Sequence, residues 1–245
     1  METRISELAE RSYKNSIFTF TNFLTLQELS DFYDLEKELS YAAPFVFGGA
    51  DICERKMVRF GDPEVLGYDE AFPIDLLLIE PLSQKWADDL THRDFLGALM
   101  NLGINRDMLG DIFTEGKKAF LFCRESMTAY ICENLTSVKH TQVSVRKLED
   151  VTDLPAPKLS EQVIQVMNPR IDAVVSRAYS LSRNAALELF TSKLVFINGR
   201  LCTENAKLLK AGDIVSVRGK GRFRFAEELG NSRKGKLNCR IELYI

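Results

Sequence analysis

Residues 148 to 159 interrupt the chain more decisively than any other stretch. Glu149, Asp150, Asp153, Pro155 and Pro157 crowd into it without apolar periodicity, so it is expected to stay extended as a linker. Charge changes sign across it. Residues 169–245 hold 15 Lys and Arg against 7 Asp and Glu, whereas residues 1–168 hold 17 against 28, giving +8 behind the break and −11 before it. A polyanion is drawn to one end of such a molecule and repelled by much of the rest. The whole-chain charge of −3 conceals this.

The 245 residues, 45% of them hydrophobic and 16 of them Phe, suffice for two or three modest cores. No apolar run reaches the roughly 18 residues of a membrane span. The longest candidate, FPIDLLLI from Phe72 to Ile79, is broken by Pro73 and Asp75 and reads as a buried strand. The opening METR lacks the basic-then-apolar layout of a secretory signal, which points to the cytoplasm and away from membranes. Cys53, Cys123, Cys132, Cys202 and Cys239 form no C-x-x-C pair and are odd in number, as expected of reduced thiols. His92 and His140 lie far apart, so neither a metal nor another cofactor is expected.

The expected organisation is an α+β chain in three parts. Residues 1–70 form an N-terminal α/β segment. Ile5, Leu8, Ala9, Ser12 and Tyr13 recur at helical spacing, and Thr25 with Glu28 makes a capping box for a second helix. Phe45 to Phe47 reads as a strand turned by Gly48 and Gly49, and a further strand is expected near Met57 to Phe60. Residues 71–148 give strands at 72–79, 112–113, 119–123 and 142–145, with helices opening at Thr91/Asp94 and at Glu125. That order, β-α-β-β-α-β, is the ferredoxin-like, RNA-recognition-like arrangement. Residues 149–168 are then the linker, and 169–245 the third part.

In the third part Asn168 and Pro169 are expected to start a helix whose apolar face is Ile171, Val174, Val175 and Ala178. After a break at Ser180 and Leu181, Ser182 caps a second helix running to about Phe190. A strand from Leu194 to Ile197 turns at Asn198-Gly199 into a return strand, and Gly212-Asp213 leads into a last one. The capped corner at Ser182 and Arg183 offers backbone N–H groups and a positive dipole end to a phosphate. Arg170, Arg177, Arg183, Lys193, Arg200, Lys207 and Lys210 would surround it with charge, and Asn198 would shape the hairpin and touch the ligand. In GKGRFRF, from Gly219 to Phe225, alternation sends Phe223 and Phe225 to the core and leaves Lys220 and Arg222 to touch phosphate.

The run RIDAVVSRAYSLSRNAALELFTSKLVFING followed by KLLKAGDIVSV resembles the RNA-binding domain of small-subunit ribosomal protein S-four. The resemblance rests on Arg170/Asp172, Ser182-Arg183, Asn198-Gly199 and Gly212-Asp213, four features in order across some fifty residues. Lys193 departs from it, since many relatives carry Gly there. At positive φ a Lys costs about 1–2 kcal/mol that Gly does not. HRDFLGALMNLGINRDMLGDIF and FGGADICERK extend the resemblance to the YlmH family of bacterial proteins over nearly the whole chain. The resemblance implies a cytosolic RNA-binding protein associated with ribosomes or structured RNA, linked to cell division and to rescue of stalled large subunits; ribosomal RNA or tRNA is the expected ligand, and no catalysis is expected.

Other readings are weaker. His92-Arg93-Asp94 matches the first letters of a kinase catalytic loop, but Leu99 stands where Asn is required and the Gly-rich loop is missing. In GKKAFLF, Lys117 and Ala119 stand where an RNA-recognition module has its stacking rings, so base stacking there is not expected and protein contact or spacing is the better assignment. Domains of the S-four type also occur on pseudouridine synthases, methyltransferases and tyrosyl-tRNA synthetase. Their catalytic signatures are missing, and Arg170-Ile171-Asp172 belongs to the binding domain. A scaffold whose residues 1–150 hold a protein partner, anchored by a basic tail, is the other alternative. A monomer is expected.

Overall fold

The structure is a computed structural model describing residues 2–233 and 235–245. It has two compact units, Met1–Ala156 and Pro157–Ile245. Moving the charge boundary to this division leaves the balance at −11 and +8.

The first unit opens with α1 (Glu2–Asn15), β1 (Thr19–Phe20), α2 (Leu26–Leu35), β2 (Phe45–Phe47), β3 (Met57–Phe60) and the short α3 (Pro63–Leu66). The three strands form a sheet in the order β1-β3-β2. The capping box at α2 is present: the Glu28 N–H donates to the Thr25 hydroxyl at 3.3 Å, and the Thr25 N–H donates to the Glu28 carboxylate at 2.6 Å. Ile5 and Ala9 of α1 and Leu29 and Phe32 of α2 are buried against Val58 and Phe60 of β3.

Next come β4 (Ile74–Pro81), α4 (His92–Asn101), β5 (Leu109–Glu115), β6 (Lys118–Arg124), α5 (Thr128–Asn134), β7 (Ser137–Val138) and β8 (Thr141–Leu148). The sheet order is β5-β6-β4-β8-β7, with every pair antiparallel. Omitting the small β7, this is the ferredoxin-like arrangement expected from the sequence. One face of the sheet packs on α4 and α5 through Leu77, Ile79, Leu121, Phe95 and Ile131.

At the start of α4, Asp94 accepts from the Thr91 N–H at 2.8 Å and from the Thr91 hydroxyl at 2.7 Å, and pairs with Lys139 at 2.9 Å. The Lys139 bond first, and the Thr91 bonds next, hold its carboxyl down at about 2. A carboxyl held below its ordinary value stabilises the fold fully above about pH 4 and stops doing so as pH falls toward that depressed value. Lys139→Met should therefore flatten the acid limb of a pH–stability curve between those limits. An unchanged limb would show that the clasp contributes nothing.

The second unit contains β9 (Leu159–Val166), α6 (Ile171–Ala178), α7 (Arg183–Thr191), β10 (Val195–Ile197), β11 (Arg200–Leu201), β12 (Ile214–Val217), β13 (Gly221–Asn231) and β14 (Leu237–Tyr244). They build a six-stranded sheet in the order β11-β10-β12-β13-β14-β9. Here the structure corrects the linker. Its second half is β9, antiparallel to β14 from Leu159↔Tyr244 to Val166↔Leu237. Only Ile164 and Val166 of β9 enter the core, which is why the segment reads as featureless. Its partner lies at the far end of the chain. Phe223 and Phe225 are 0% and 1% exposed, as alternation predicts, and pack with Val174 and Val175 of α6.

Candidate nucleic-acid interface

The corner between α6 and α7 is built by two kinds of cap. Past the end of α6, Ser180 takes φ 52°, the Leu181 N–H donates to the Ser176 carbonyl at 2.8 Å, and the Ser180 N–H reaches the Arg177 carbonyl at 3.4 Å. This pair of bonds is a Schellman closure. Two residues on, the Ser182 hydroxyl accepts from the Ala185 N–H at 3.1 Å, capping α7 as expected. The first-turn amides of Arg183 and Asn184 have no intrahelical acceptor by helix geometry, and both residues are exposed. Arg177 is exposed as well. Ser182, Arg177 and Arg183 thus meet at one accessible, electropositive corner.

The start of α6 differs from expectation. Asn168 does not cap it; the cap position is Arg170, and the helix begins at Ile171. The Ile171 N–H donates to the Lys207 carbonyl at 2.9 Å, the Asp172 N–H to the Asn205 carbonyl at 3.2 Å, and the Leu209 N–H to the Pro169 carbonyl at 2.9 Å. A neighbouring loop therefore satisfies the helix's first donors, so no side-chain cap is required and no anion site is left there. Arg170 is paired internally: its Nε and Nη2 grip the buried Asp172 carboxylate at 3.1 and 2.7 Å, and the residue also lines a cleft beside the corner. Lys207 and Lys210 stand exposed on the loop that pairs with this segment.

Asn198 and Gly199 form the expected two-residue turn, at φ 50° and 80°. The Asn198 amide shapes it: its Nδ2 donates to Asp213 at 2.9 Å and its oxygen accepts from the Ile214 N–H at 2.9 Å, each using one of the group's two donor or acceptor positions, and the residue is exposed. Arg200, the next residue, is exposed.

Lys193 does have positive φ, 55°. The Leu194 N–H donates to the Leu189 carbonyl at 2.9 Å and the Lys193 N–H to Phe190 at 3.0 Å, a second Schellman closure with a non-glycine residue in the left-handed position. Lys193→Gly should raise the stability of the unit by about 1 kcal/mol, read as a higher melting temperature. A lower melting temperature would mean that the Lys side chain more than offsets the strain.

Lys220 is exposed in the turn between β12 and β13. Arg222 is not brought to the corner. Because Phe223 faces the helices, Arg222 lies on the opposite face of the sheet, where its guanidinium sits 3.9 Å from the Tyr244 ring centroid.

The sequence reading missed a cleft of about 570 Å³ beside the corner. Arg177 and Arg183 line it from the helices, Met167 and Asn168 from the chain after β9, and Lys236 from the β13–β14 hairpin. The signal available for Lys236 was the basic, glycine-bearing run Arg233-Lys234-Gly235-Lys236, which reads as a charged turn.

In the first unit the sheet face opposite α4 and α5 carries Phe120 and Phe122. The alignment that put Lys117 and Ala119 on the ligand face is thereby corrected, since Ala119 faces the helices. Neither ring is available. Phe23, Cys53 and Met57 cover this face, leaving Phe120 and Phe122 at 5% and 1% exposure. Gly49, at φ 100°, lies so close to the Phe122 ring that a Cβ there would collide with it. The cover is pinned by Arg55, whose guanidinium donates to the carbonyls of Leu109 at 2.9 Å, Phe23 at 2.9 Å and Arg106 at 3.3 Å. Arg124 adds a bond to the Asn22 amide oxygen at 2.9 Å.

Comparison with known proteins bears on both units. Residues 68–152 match the family described as "Putative RNA-binding domain in YlmH". "Ribosome-associated protein quality control protein P2" of Bacillus subtilis (strain 168) is 28% identical over 200 residues, covering 80% of this chain and 76% of that protein. "Small ribosomal subunit protein uS4" of Laribacter hongkongensis is 36% identical over 72 residues, 28% of this chain and 35% of that protein. The solved structure "Cell division protein ylmH from Streptococcus pneumoniae" aligns with a TM-score of 0.48 at 18% identity, covering 62% of this chain and 90% of that one. The descriptions of the matching family and of these relatives support association with RNA and the ribosome and name no enzymatic activity. The chain is thus similar to the YlmH family, with that family's putative RNA-binding domain at residues 68–152 and a further likeness to the ribosomal protein uS4.

Proposed function

We propose that the protein binds structured RNA, ribosomal RNA or tRNA held on the ribosome, through residues 157–245, and that it catalyses no reaction. The observation that carries this reading is the exposed corner of Ser182, Arg177 and Arg183, on a unit of net charge +8 in a chain whose other unit carries −11. Lys193, Arg200, Lys207, Lys210 and Lys220 extend the charged surface, and Arg170, paired with Asp172, lines the cleft beside the corner. The name of the Bacillus subtilis relative supports a role in ribosome-associated quality control; cell-division-linked regulation is the other role we assign, and we place the protein in the cytoplasm. We read the first unit as an N-terminal segment of residues 1–70 covering a ferredoxin-like part of residues 71–148, and the protein as a monomer. With the sheet face covered, an RNA contact by residues 68–152 would use loops and edges.

The test is binding of purified ribosomal subunits and of bulk tRNA across a salt series. Each phosphate neutralised steepens the plot of log affinity against log salt by about 0.7–0.9. Five or so contacts should therefore give a slope near −4. Affinity that is insensitive to salt would overturn the reading and favour a protein-binding scaffold.

A further inference from the structure

The cleft beside the α6–α7 corner combines surfaces that phosphate binding alone does not require. Besides Arg177, Arg183 and Lys236, its lining includes Ala173, Leu181 and the 74% exposed Met167, an apolar strip next to the cations. Asn168 supplies an amide with both donor and acceptor capacity at the same wall. At about 570 Å³ it has the capacity of a small-ligand pocket, in the range of roughly 300–1,000 Å³. One nucleotide fits that space. A base paired within a duplex does not enter it, because it is stacked between its neighbours.

We propose that this cleft receives a single unpaired nucleotide from a loop or bulge of the bound RNA. Its phosphate lies at Arg177, Arg183 and the first turn of α7. Its base lies along Met167 and Leu181, with the Asn168 amide at its edge. Lys236 closes the cleft from the β13–β14 hairpin. The inference rests on the RNA-binding reading above and adds that the protein distinguishes unpaired from paired RNA. Single-stranded elements are where proteins read RNA, since an unstacked base exposes both its π-face and its hydrogen-bonding edge.

Fluorescence anisotropy of the full-length protein with two RNA hairpins, identical except for one bulged nucleotide, tests it. The bulged RNA should bind about fivefold tighter or more, as apolar burial of one base and one hydrogen bond to its edge together supply. Ala173→Trp, which fills the cleft without changing charge, should erase that preference and leave affinity for the fully paired hairpin unchanged. Should that variant melt abnormally, Met167→Glu at the exposed rim serves instead and should also erase the preference. Equal wild-type affinity for the two hairpins, or a preference untouched by a folded cleft variant, overturns the cleft assignment while leaving RNA binding intact. Binding of neither hairpin nor ribosomal RNA overturns the RNA-binding reading itself.

Discussion

Arg183→Glu is expected to lower affinity for ribosomal RNA by about 10- to 100-fold at low salt and to leave the melting temperature unchanged. The side chain is exposed at the first position of α7, so the fold does not depend on it. Reversal removes one cation from the phosphate site and places an anion where the helix dipole and the Arg177 charge would otherwise hold a phosphate. The salt slope should flatten by about 1 to 2 in the same titration. Ser182→Ala is the instructive contrast. It deletes the acceptor for the Ala185 amide and should cost about 1 kcal/mol of stability before any effect on RNA appears. Normal affinity in a well-folded Arg183→Glu protein would remove the α6–α7 corner from the interface.

Arg55→Ala should be the most damaging single change in the first unit, costing about 3 kcal/mol. Its guanidinium ties three carbonyls from two segments, Phe23 on the covering side and Leu109 and Arg106 on the sheet side. Burial pushes the group below its ordinary pKa, against the opposing pull of Asp111, Glu28 and Asp107, so it sits in a place where a lost partner is not replaced cheaply by water. A loss of that size lowers the melting temperature of a unit this long by roughly 10 °C. Arg55→Lys should recover little, because an ammonium lacks the planar fork that spans the three acceptors. A small shift would mean that the apolar packing of Phe23, Cys53 and Met57 and the remaining bonds, such as Arg124 to Asn22, hold the covering segment without it. Exposure of Phe120 and Phe122, read as dye binding, should accompany the destabilisation.

Local chemistry made much of the fold legible. The capping box of α2, the break at Ser180 and the Asn198-Gly199 turn each depend on a few adjacent residues with strong conformational preferences. The β-α-β-β-α-β order followed from periodicity, and the inward rings of Phe223 and Phe225 from alternation. What the sequence hid depends on partners distant along the chain. β9 has two inward apolar residues and acquires its identity from β14, some seventy residues later. Asn168 looked like a cap because the loop at 205–209, which feeds carbonyls to the start of α6, cannot be seen locally. Of the proposed site, the meeting of Ser182, Arg177 and Arg183 at one corner follows from spacing. The diversion of Arg170 to Asp172 and the arrival of Lys236 at the cleft do not, because charge counting assigns no geometry.

The pairing of β9 with β14 also sets an order of events during synthesis. The strand that opens the second unit bonds to the strand that closes it, and the Ile245 N–H reaches back to the Lys158 carbonyl at 3.0 Å. A ribosome that has made residues 157 to 236 has made both helices and every cation of the corner, yet β9 and β13 still lack their shared neighbour. The basic surface is therefore completed only once residues 237–245 have also left the exit tunnel. A nascent copy of this protein would hold its charge before it holds the shape that aims it.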